Sequence, residues 1–291
     1  MRVAALLSLG ILAACNSLFG LNETALKPEL DASLRPDADP HADLDRDGIK
    51  DVVDSCIAPA ADRLIDSDGD GTANGSDLCA FDQTATADSD GDGFGDACDP
   101  YPDLPGDRQR CLMAFTDPDM NVVMWKARET VAMPWVLYEP RGLQGFQGSI
   151  VADWPFESPA VTTYDVRGRF IAPTTGNIAV LPRAGLVPLP TDVGCRLSFS
   201  GAAWTFDTVP PSGAPATVPM DTALAVPYRM IVTIAPKATG KNLGCTIVTG
   251  LAPLDVATTV TLPEANLGFS TSEHVTIESI VIYERDDAPP L

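Results

Sequence analysis

Three stretches of this 291-residue chain share one acidic pattern, Asp-x-Asp-x-Asp-Gly-x-x-(Asp/Asn)-x-x-Asp. The first holds Asp43, Asp45, Asp47, Gly48, Asp51 and Asp54. The second holds Asp66, Asp68, Asp70, Gly71, Asn74 and Asp77. The third holds Asp88, Asp90, Asp92, Gly93, Asp96 and Asp99. Side chains at positions 1, 3 and 5 converge on one point if the backbone curls, and a glycine at position 6 permits the sharp turn. Position 7 then offers a backbone carbonyl, from Ile49, Thr72 and Phe94, and positions 9 and 12 close the shell. An all-oxygen shell of this kind suits calcium, which takes six to eight oxygens at about 2.3–2.6 Å.

Charge makes the same point. Two carboxylates about 5 Å apart repel by roughly 3 kcal/mol at an effective dielectric of ~20. A solvated acidic linker has no reason to repeat glycine at position 6 and Asp at position 12, so a cation is expected to hold these loops together. Asn74 replaces Asp at position 9 of the second copy, which removes one charge and predicts a weaker site.

An EF-hand needs flanking helices and normally Glu at position 12, and neither is present. A dockerin needs a Leu-rich helix after the loop, and Leu78-Cys79-Ala80-Phe81-Asp82-Gln83 is no such helix. The segments "DLDRDGIKDVVDSC", "DSDGDGTANGSDLC" and "DSDGDGFGDACD" instead closely resemble thrombospondin type 3 repeats, over about residues 43–107. The resemblance implies little regular secondary structure, a chain wrapped around a row of calcium ions and disulfides between neighbouring repeats; it also implies shared ligands and more than one ion per repeat, so three ions are a minimum.

Net charge is −21 and uneven: −16 over residues 16–111 against −6 over residues 112–291. The acidity therefore belongs to the metal region. It argues against nucleic acid as a partner, because phosphates are repelled. At the N-terminus, Arg2 precedes an apolar run from Val3 to Ala14 that is too short to span a bilayer. It ends Leu12-Ala13-Ala14-Cys15, which resembles a bacterial lipobox. That resemblance implies lipidation of Cys15, a membrane partner through the anchor and, with Asn16 next, an outer-membrane lipoprotein facing the periplasm or the cell surface. The remaining cysteines are Cys56, Cys79, Cys98, Cys111, Cys195 and Cys245, an even number suited to an oxidising compartment. Six cysteines allow fifteen pairings. Proximity and the repeat resemblance favour Cys56–Cys79 and Cys98–Cys111, leaving Cys195–Cys245; the main alternative pairs Cys79 with Cys98.

These features divide the chain into a signal peptide at 1–14, a lipid-anchored tether at 15–42, the calcium-binding repeats at 43–111 and a β-sandwich at 112–291. The tether is broken by Pro28, Pro36 and Pro40 and is too poor in apolar periodicity to fold alone. In the last region, period-two patterning with Pro and Gly breaks predicts an all-β fold. Val193, Cys195, Leu197 and Phe199 share one strand face; Tyr228, Met230, Val232 and Ile234 share another; Leu243, Cys245 and Ile247 a third; Val260 and Leu262 a fourth. The last strand is expected near His274–Glu284, with Ile280-Val281-Ile282-Tyr283 buried on both sides or bulged. No helix is expected over residues 112–291. The segments "YDVRGRF", "YRMIVTIA", "NLGCTIVTG" and "LGFSTSEHVTIESIVIYE" resemble concanavalin-like jelly rolls of the laminin-G kind. This implies an antiparallel β-sandwich whose final strand returns beside the first, at Leu112–Thr116.

Jelly-roll hydrolases carry Glu-x-Asp-x-x-Glu on one strand, and the pattern is absent here. Glu273 and Glu278 have odd spacing, which puts them on opposite faces of a strand. The chain is read as a non-enzyme. Trp125, Trp135, Trp154 and Trp204 could offer a sugar platform or could fill the core, and Arg167 and Arg169 read as a solvent face. The expectation is a calcium-binding, lipid-anchored envelope protein whose acidic arm displays a sandwich that binds a glycan or protein ligand. Its alternatives are a purely structural envelope lipoprotein and a carbohydrate-active enzyme.

Overall fold

β-Branched and aromatic residues alternating with polar ones produce strands with one apolar face each. They assemble into two antiparallel sheets. The first runs β13 (Leu254–Val260), β12 (Lys241–Val248), β11 (Val226–Pro236), β6 (Val161–Phe170), β15 (Val275–Arg285), β4 (Leu143–Gly145) and β3 (Trp135–Leu137). Strand β1 (Arg108–Met113) also pairs with β15. The second runs β10 (Ala216–Pro219), β9 (Ala203–Val209), β8 (Val193–Phe199), β7 (Gly176–Ala184), β14 (Asn266–Thr271), β5 (Gly148–Pro155) and β2 (Trp125–Ala127). This computed structural model describes residues 60–115, 125–128, 135–137, 142–155, 161–170, 175–184, 192–199, 203–209, 216–219, 226–236, 241–248, 254–260, 266–272 and 274–286. All of them belong to one compact unit. Cys15, Cys56 and the whole first acidic loop (Asp43, Asp45, Asp47, Ile49, Asp51, Asp54) lie outside the described residues.

Strand β15 organises the first sheet. Strand β6 lies along one of its sides. On the other, β4 covers Val275–Ile277 and β1 covers Ile280–Glu284. The last strand therefore does return beside the first, with Leu112 opposite Val281. The first strand starts at Arg108.

The core lies between the sheets. Tyr228, Met230, Val232 and Ile234 enter it from β11, and Leu243, Cys245 and Ile247 from β12. Val193, Cys195 and Leu197 meet them from β8, so the parities expected from sequence hold for all three strands. The Cys195–Cys245 disulfide crosses this core and joins the two sheets. Trp125 and Trp135 pack on Phe269 at ring-centroid distances of 5.3 and 6.3 Å. Both thus contribute to the core, as aromatic rings commonly do. Val260 ends β13, and Leu262 lies outside the described residues.

The outer face of the first sheet is covered. Val281 and Tyr283 point away from the core yet are each 4% exposed. Phe94 of the third acidic repeat meets Tyr283 edge-on at 5.3 Å. Arg167 donates to the carbonyl of Phe81, and Arg229 to that of Ala97 at 2.8 Å. Both arginines also pair with the buried Asp165. Arg167, expected on a solvent face, is thus a clasp for the second repeat, whereas Arg169 pairs with Glu278 at 2.5 Å. Ile280–Tyr283 are buried on both sides, and the register shift of β15 on β6 falls before them, between Ile277 and Ser279. The described second and third repeats thus lie against the outer face of this sheet.

Two local features of the repeats complete the fold, and the second corrects an expectation. A five-residue helix, α1 (Ala60–Leu64), precedes the second repeat. Its Asp62 is fully buried and accepts the Ala114 N–H at 2.8 Å, which fixes the helix to the exit of β1. The favoured Cys56–Cys79 and Cys98–Cys111 pairing does not form, because Cys79 is bonded to Cys98. The cause is local: Gly95 N–H donates to Leu78 O and Cys98 N–H to Gly95 O, each at 2.9 Å, which brings the two cysteines together. Cys111 is also disulfide-bonded.

Candidate metal centre and adjoining groove

The second and third loops are built alike. Gly71 and Gly93, at position 6, have φ of +99° and +100°, in the region that L side chains rarely adopt. Their N–H groups donate to the position 1 carboxylates, Gly71 to Asp66 at 2.9 Å and Gly93 to Asp88 at 3.1 Å. Position 4 is a second positive-φ glycine in both, Gly69 and Gly91, whose N–H groups reach the same carboxylates at 2.6 and 2.7 Å. The identical "DGDG" of the two loops was the sequence signal for this second turn. At position 7, Thr72 and Phe94 donate their N–H groups to Asp70 and Asp92 at 2.7 and 3.2 Å. Oxygens of Asp66, Asp68 and Asp70 lie within 4.8 Å of one another, as do those of Asp88, Asp90 and Asp92.

Position 9 brackets the loop. Asn74 Oδ1 accepts Ser67 N–H at 3.0 Å, and its Nδ2 donates to Asp62 O and Ser67 Oγ at 2.6 and 2.9 Å. Asp96 does the same work on Ser89, accepting its N–H at 2.8 Å and its hydroxyl at 2.7 Å. Position 12 is half satisfied. Asp77 accepts Cys79 N–H and Asp99 accepts Tyr101 N–H, at 2.9 and 2.7 Å, each through Oδ1. The other oxygen of each is buried without a hydrogen-bond partner, and so is Oδ2 of Asp68 and Asp90 at position 3. Positions 3 and 12 thus leave one orphaned carboxylate oxygen apiece in both loops.

Electrostatics follow from this packing. Burial, with the negative charge of Asp70 and Asp66, raises Asp68 above the ordinary carboxylate range. Burial, with Asp70, Asp68 and Asp66, does the same to Asp77. Asp66, which accepts the two glycine N–H groups, is lowered. Unfavourable burial of negative charge at positions 3 and 12 is what a bound cation reverses.

A third cluster lies between the repeats and the sandwich. Asp92, Asp99 and Asp107 bring oxygens within 4.8 Å of one another. Asp107 follows the repeats, outside every twelve-residue frame, and was not foreseen as part of a site. It is raised to about 7, first by burial and then by Asp99, with Arg285 opposing.

Beside this cluster a groove of about 620 Å³ runs over the outer face of β11, β12 and β13. Its floor includes Thr233, Asn242, Thr246 and Thr259, and Pro100 and Tyr101 line it from the repeats. Hydroxyl and amide groups over small residues, with an aromatic ring at hand, suit a neutral, hydroxyl-rich ligand. A second cavity of about 590 Å³, lined by Arg167, Arg169, Arg229, Asp68 and Glu278 among others, contains the ion pairs described above. Trp154, Trp204 and Glu273 offer no described side chain.

No family model matches the sequence, and no curated protein matches it. Solved structures align with part of the chain at low identity. Peanut lectin, solved with a nine-residue peptide, aligns over 57% of this chain and 97% of its own at 12% identity, TM-score 0.39. The CBM2 module of the evolved Dit of Lactobacillus casei BL23 phage J-1 aligns over 63% and 99% at 10% identity, TM-score 0.42. A legume lectin-like domain from Entamoeba histolytica aligns over 58% and 93% at 12% identity, TM-score 0.37. The assignment of a two-sheet antiparallel sandwich rests on the strand pairing itself.

Proposed function

We propose that this is a calcium-dependent binding protein of the cell envelope. Its repeats of thrombospondin type 3 kind take up calcium, and its sandwich retains a glycan without changing it. The observation that carries the calcium reading is the orphaned oxygen at positions 3 and 12 of both described loops. Four buried carboxylate oxygens in register, with no donor to satisfy them, are what an oxygen-loving cation needs. Calcium would be held by the position 1, 3, 5 and 12 carboxylates and the position 7 carbonyls. It would supply charge neutralisation and fix the loops against the sheet.

The glycan reading is supported by the groove of threonine and asparagine side chains bordered by Tyr101. The groove draws one wall from the repeats, so removal of calcium should disturb it. Lipidation of Cys15 would hold the protein at the outer membrane, and Cys15→Ser should abolish incorporation of a fatty-acid probe.

The deciding experiment is a glycan array probed with the full chain in calcium and again in EGTA, with product analysis on any glycan retained. Retention that is lost both in EGTA and in Ala257→Trp, which fills the groove from an exposed edge strand, supports the reading. Retention untouched by both moves the binding site elsewhere. Cleavage of the glycan replaces binding with catalysis.

A further inference from the structure

We propose that the cavity between the second repeat and strands β6 and β11 binds an acidic sugar by its carboxylate. It shares no lining residue with the groove of the glycan reading. At about 590 Å³ it falls within the roughly 300–1,000 Å³ of small-molecule sites. Arg167 and Arg169 line it from β6 and Arg229 from β11, while Ser67 and Phe81 close it from the second repeat. In a chain of net charge −21, three guanidinium groups on one wall reverse the sign of the surface locally.

The arrangement holds more positive charge than the fold uses. Arg167 and Arg229 stand directly opposite each other in the β6–β11 pairing, which is destabilising for like charges. One carboxylate serves both: Asp165 Oδ2 lies 2.9 Å from Arg229 Nη2 and 3.5 Å from Arg167 Nη2. Their hydrogen bonds to the carbonyls of Phe81 and Ala97 hold the repeats but bring no charge. Arg167 Nε is buried with no hydrogen-bond partner. Arg169 stands outside this clasp. It is half exposed and spends Nε on Glu278, which leaves its Nη atoms for a ligand.

The charge count selects the ligand. Three guanidinium groups against Asp165 and Glu278 leave one positive charge. Asp68 also lines the cavity, but it serves its own loop. Its Oδ1 accepts Asp70 N–H at 3.1 Å, and its carboxylate clusters with those of Asp66 and Asp70. In counting Asp68 as neutralised there, this inference rests on the calcium reading above. The charge left over calls for a monoanion, and the planar donors of arginine match a carboxylate. Ser67 and Ser279 in the lining suit the hydroxyl groups of a sugar, and the Phe81 ring suits its apolar face.

The test is calorimetric titration of the calcium-loaded full chain with galacturonate, galactose and acetate. Galacturonate should bind at one site, and about tenfold more tightly than either of the others, the worth of one charge-assisted hydrogen bond. It should bind Ala257→Trp as well as wild type. Arg169→Gln should weaken it about tenfold on the same grounds. Glu278→Gln, which releases Arg169 from its carboxylate partner, should strengthen it. Acetate binding as tightly as galacturonate overturns the assignment to a sugar, and galactose doing so overturns the role of the carboxylate. Binding that is lost in Ala257→Trp lies in the groove and overturns the site. Binding untouched by both Arg169→Gln and Glu278→Gln lies elsewhere, on a loop cation for example, and overturns it too. Calcium uptake without galacturonate uptake overturns this inference alone; uptake of neither overturns the calcium reading as well.

Discussion

Arg285, the last residue of β15, places Nη1 3.0 Å from Oδ2 of Asp107, the residue before β1, with both side chains 2% exposed. The same guanidinium donates to the carbonyls of Leu104 and Pro105 at 2.9 and 3.2 Å. It also lies 4.9 Å from the ring centroid of Tyr101. One planar, permanently charged group therefore fastens the segment that leaves the third repeat, using donors that a lysine could not arrange.

Arg285→Leu should lower the unfolding free energy by about 3–5 kcal/mol, the range seen when one partner of a buried ion pair is removed. The loss comes mainly from leaving Asp107 buried without its partner. Urea unfolding in calcium checks it. A loss below about 1 kcal/mol would place the pair in the weak class of surface salt bridges.

Calcium removal should free the repeats and leave the sandwich folded. The sandwich has its own core and a disulfide between its sheets, whereas the repeats contain only one short helix among the described residues. Because Phe94 of the third repeat packs on Tyr283, EGTA should also expose apolar surface on the first sheet. Limited proteolysis should cut first between residues 60 and 107, with a rise in binding of a hydrophobic dye. Rapid loss of the sandwich at the same EGTA concentration would contradict this.

Asp68→Ala and Asp90→Ala should each weaken calcium loading, while Asp103→Ala should not. The first two remove orphaned position 3 oxygens, and Asp103 is exposed. Asp62 lies outside every frame too, but it is no neutral control. Its carboxylate accepts a buried backbone N–H, and Asp62→Ala should destabilise the fold by about 1–3 kcal/mol whether or not calcium is present. Calorimetric titration and thermal melts separate the two effects. Equal losses of calcium binding for Asp68→Ala, Asp90→Ala and Asp103→Ala would mean a diffuse ion cloud.

The face assignments were legible wherever one side of a strand is apolar. Tyr228 to Ile234 and Leu243 to Ile247 alternate cleanly, because a strand repeats every two residues. The pairing of Cys195 with Cys245 was reached by elimination, once the four cysteines in and beside the repeats were paired among themselves, and it forms. The two-sided burial of Ile280–Tyr283 was legible as well, but its cover was not: Phe94 lies far from Tyr283 in sequence and belongs to an acidic, glycine-rich stretch with no strand or helix period. Asp107 escaped notice for a related reason. Its role depends on Arg285, and no local pattern joins the two. The Cys79–Cys98 bond depends on hydrogen bonds through Gly95, which resemblance to a repeat family does not specify.

Phe94 separates ligation from docking, because its carbonyl is at position 7 of the third loop while its ring packs on Tyr283. Phe94→Ala keeps the carbonyl and removes the ring. The edge-on pair contributes about 0.5–1.5 kcal/mol beyond simple burial, and truncation of a well-buried Phe costs about 3–5 kcal/mol. Phe94 is only partly buried, so the expected loss is about 1–3 kcal/mol, between those limits. The variant should bind as many calcium ions as the wild type, yet in saturating calcium residues 88–107 should be cut faster by protease. Asp90→Ala should do the reverse at the metal, losing affinity whether or not the repeat is docked. If Phe94→Ala lowers the number of bound ions as much as Asp90→Ala does, the loop cannot hold its cation without the sheet. Docking and ligation would then be one cooperative event, and the ring would be part of the metal site in all but contact.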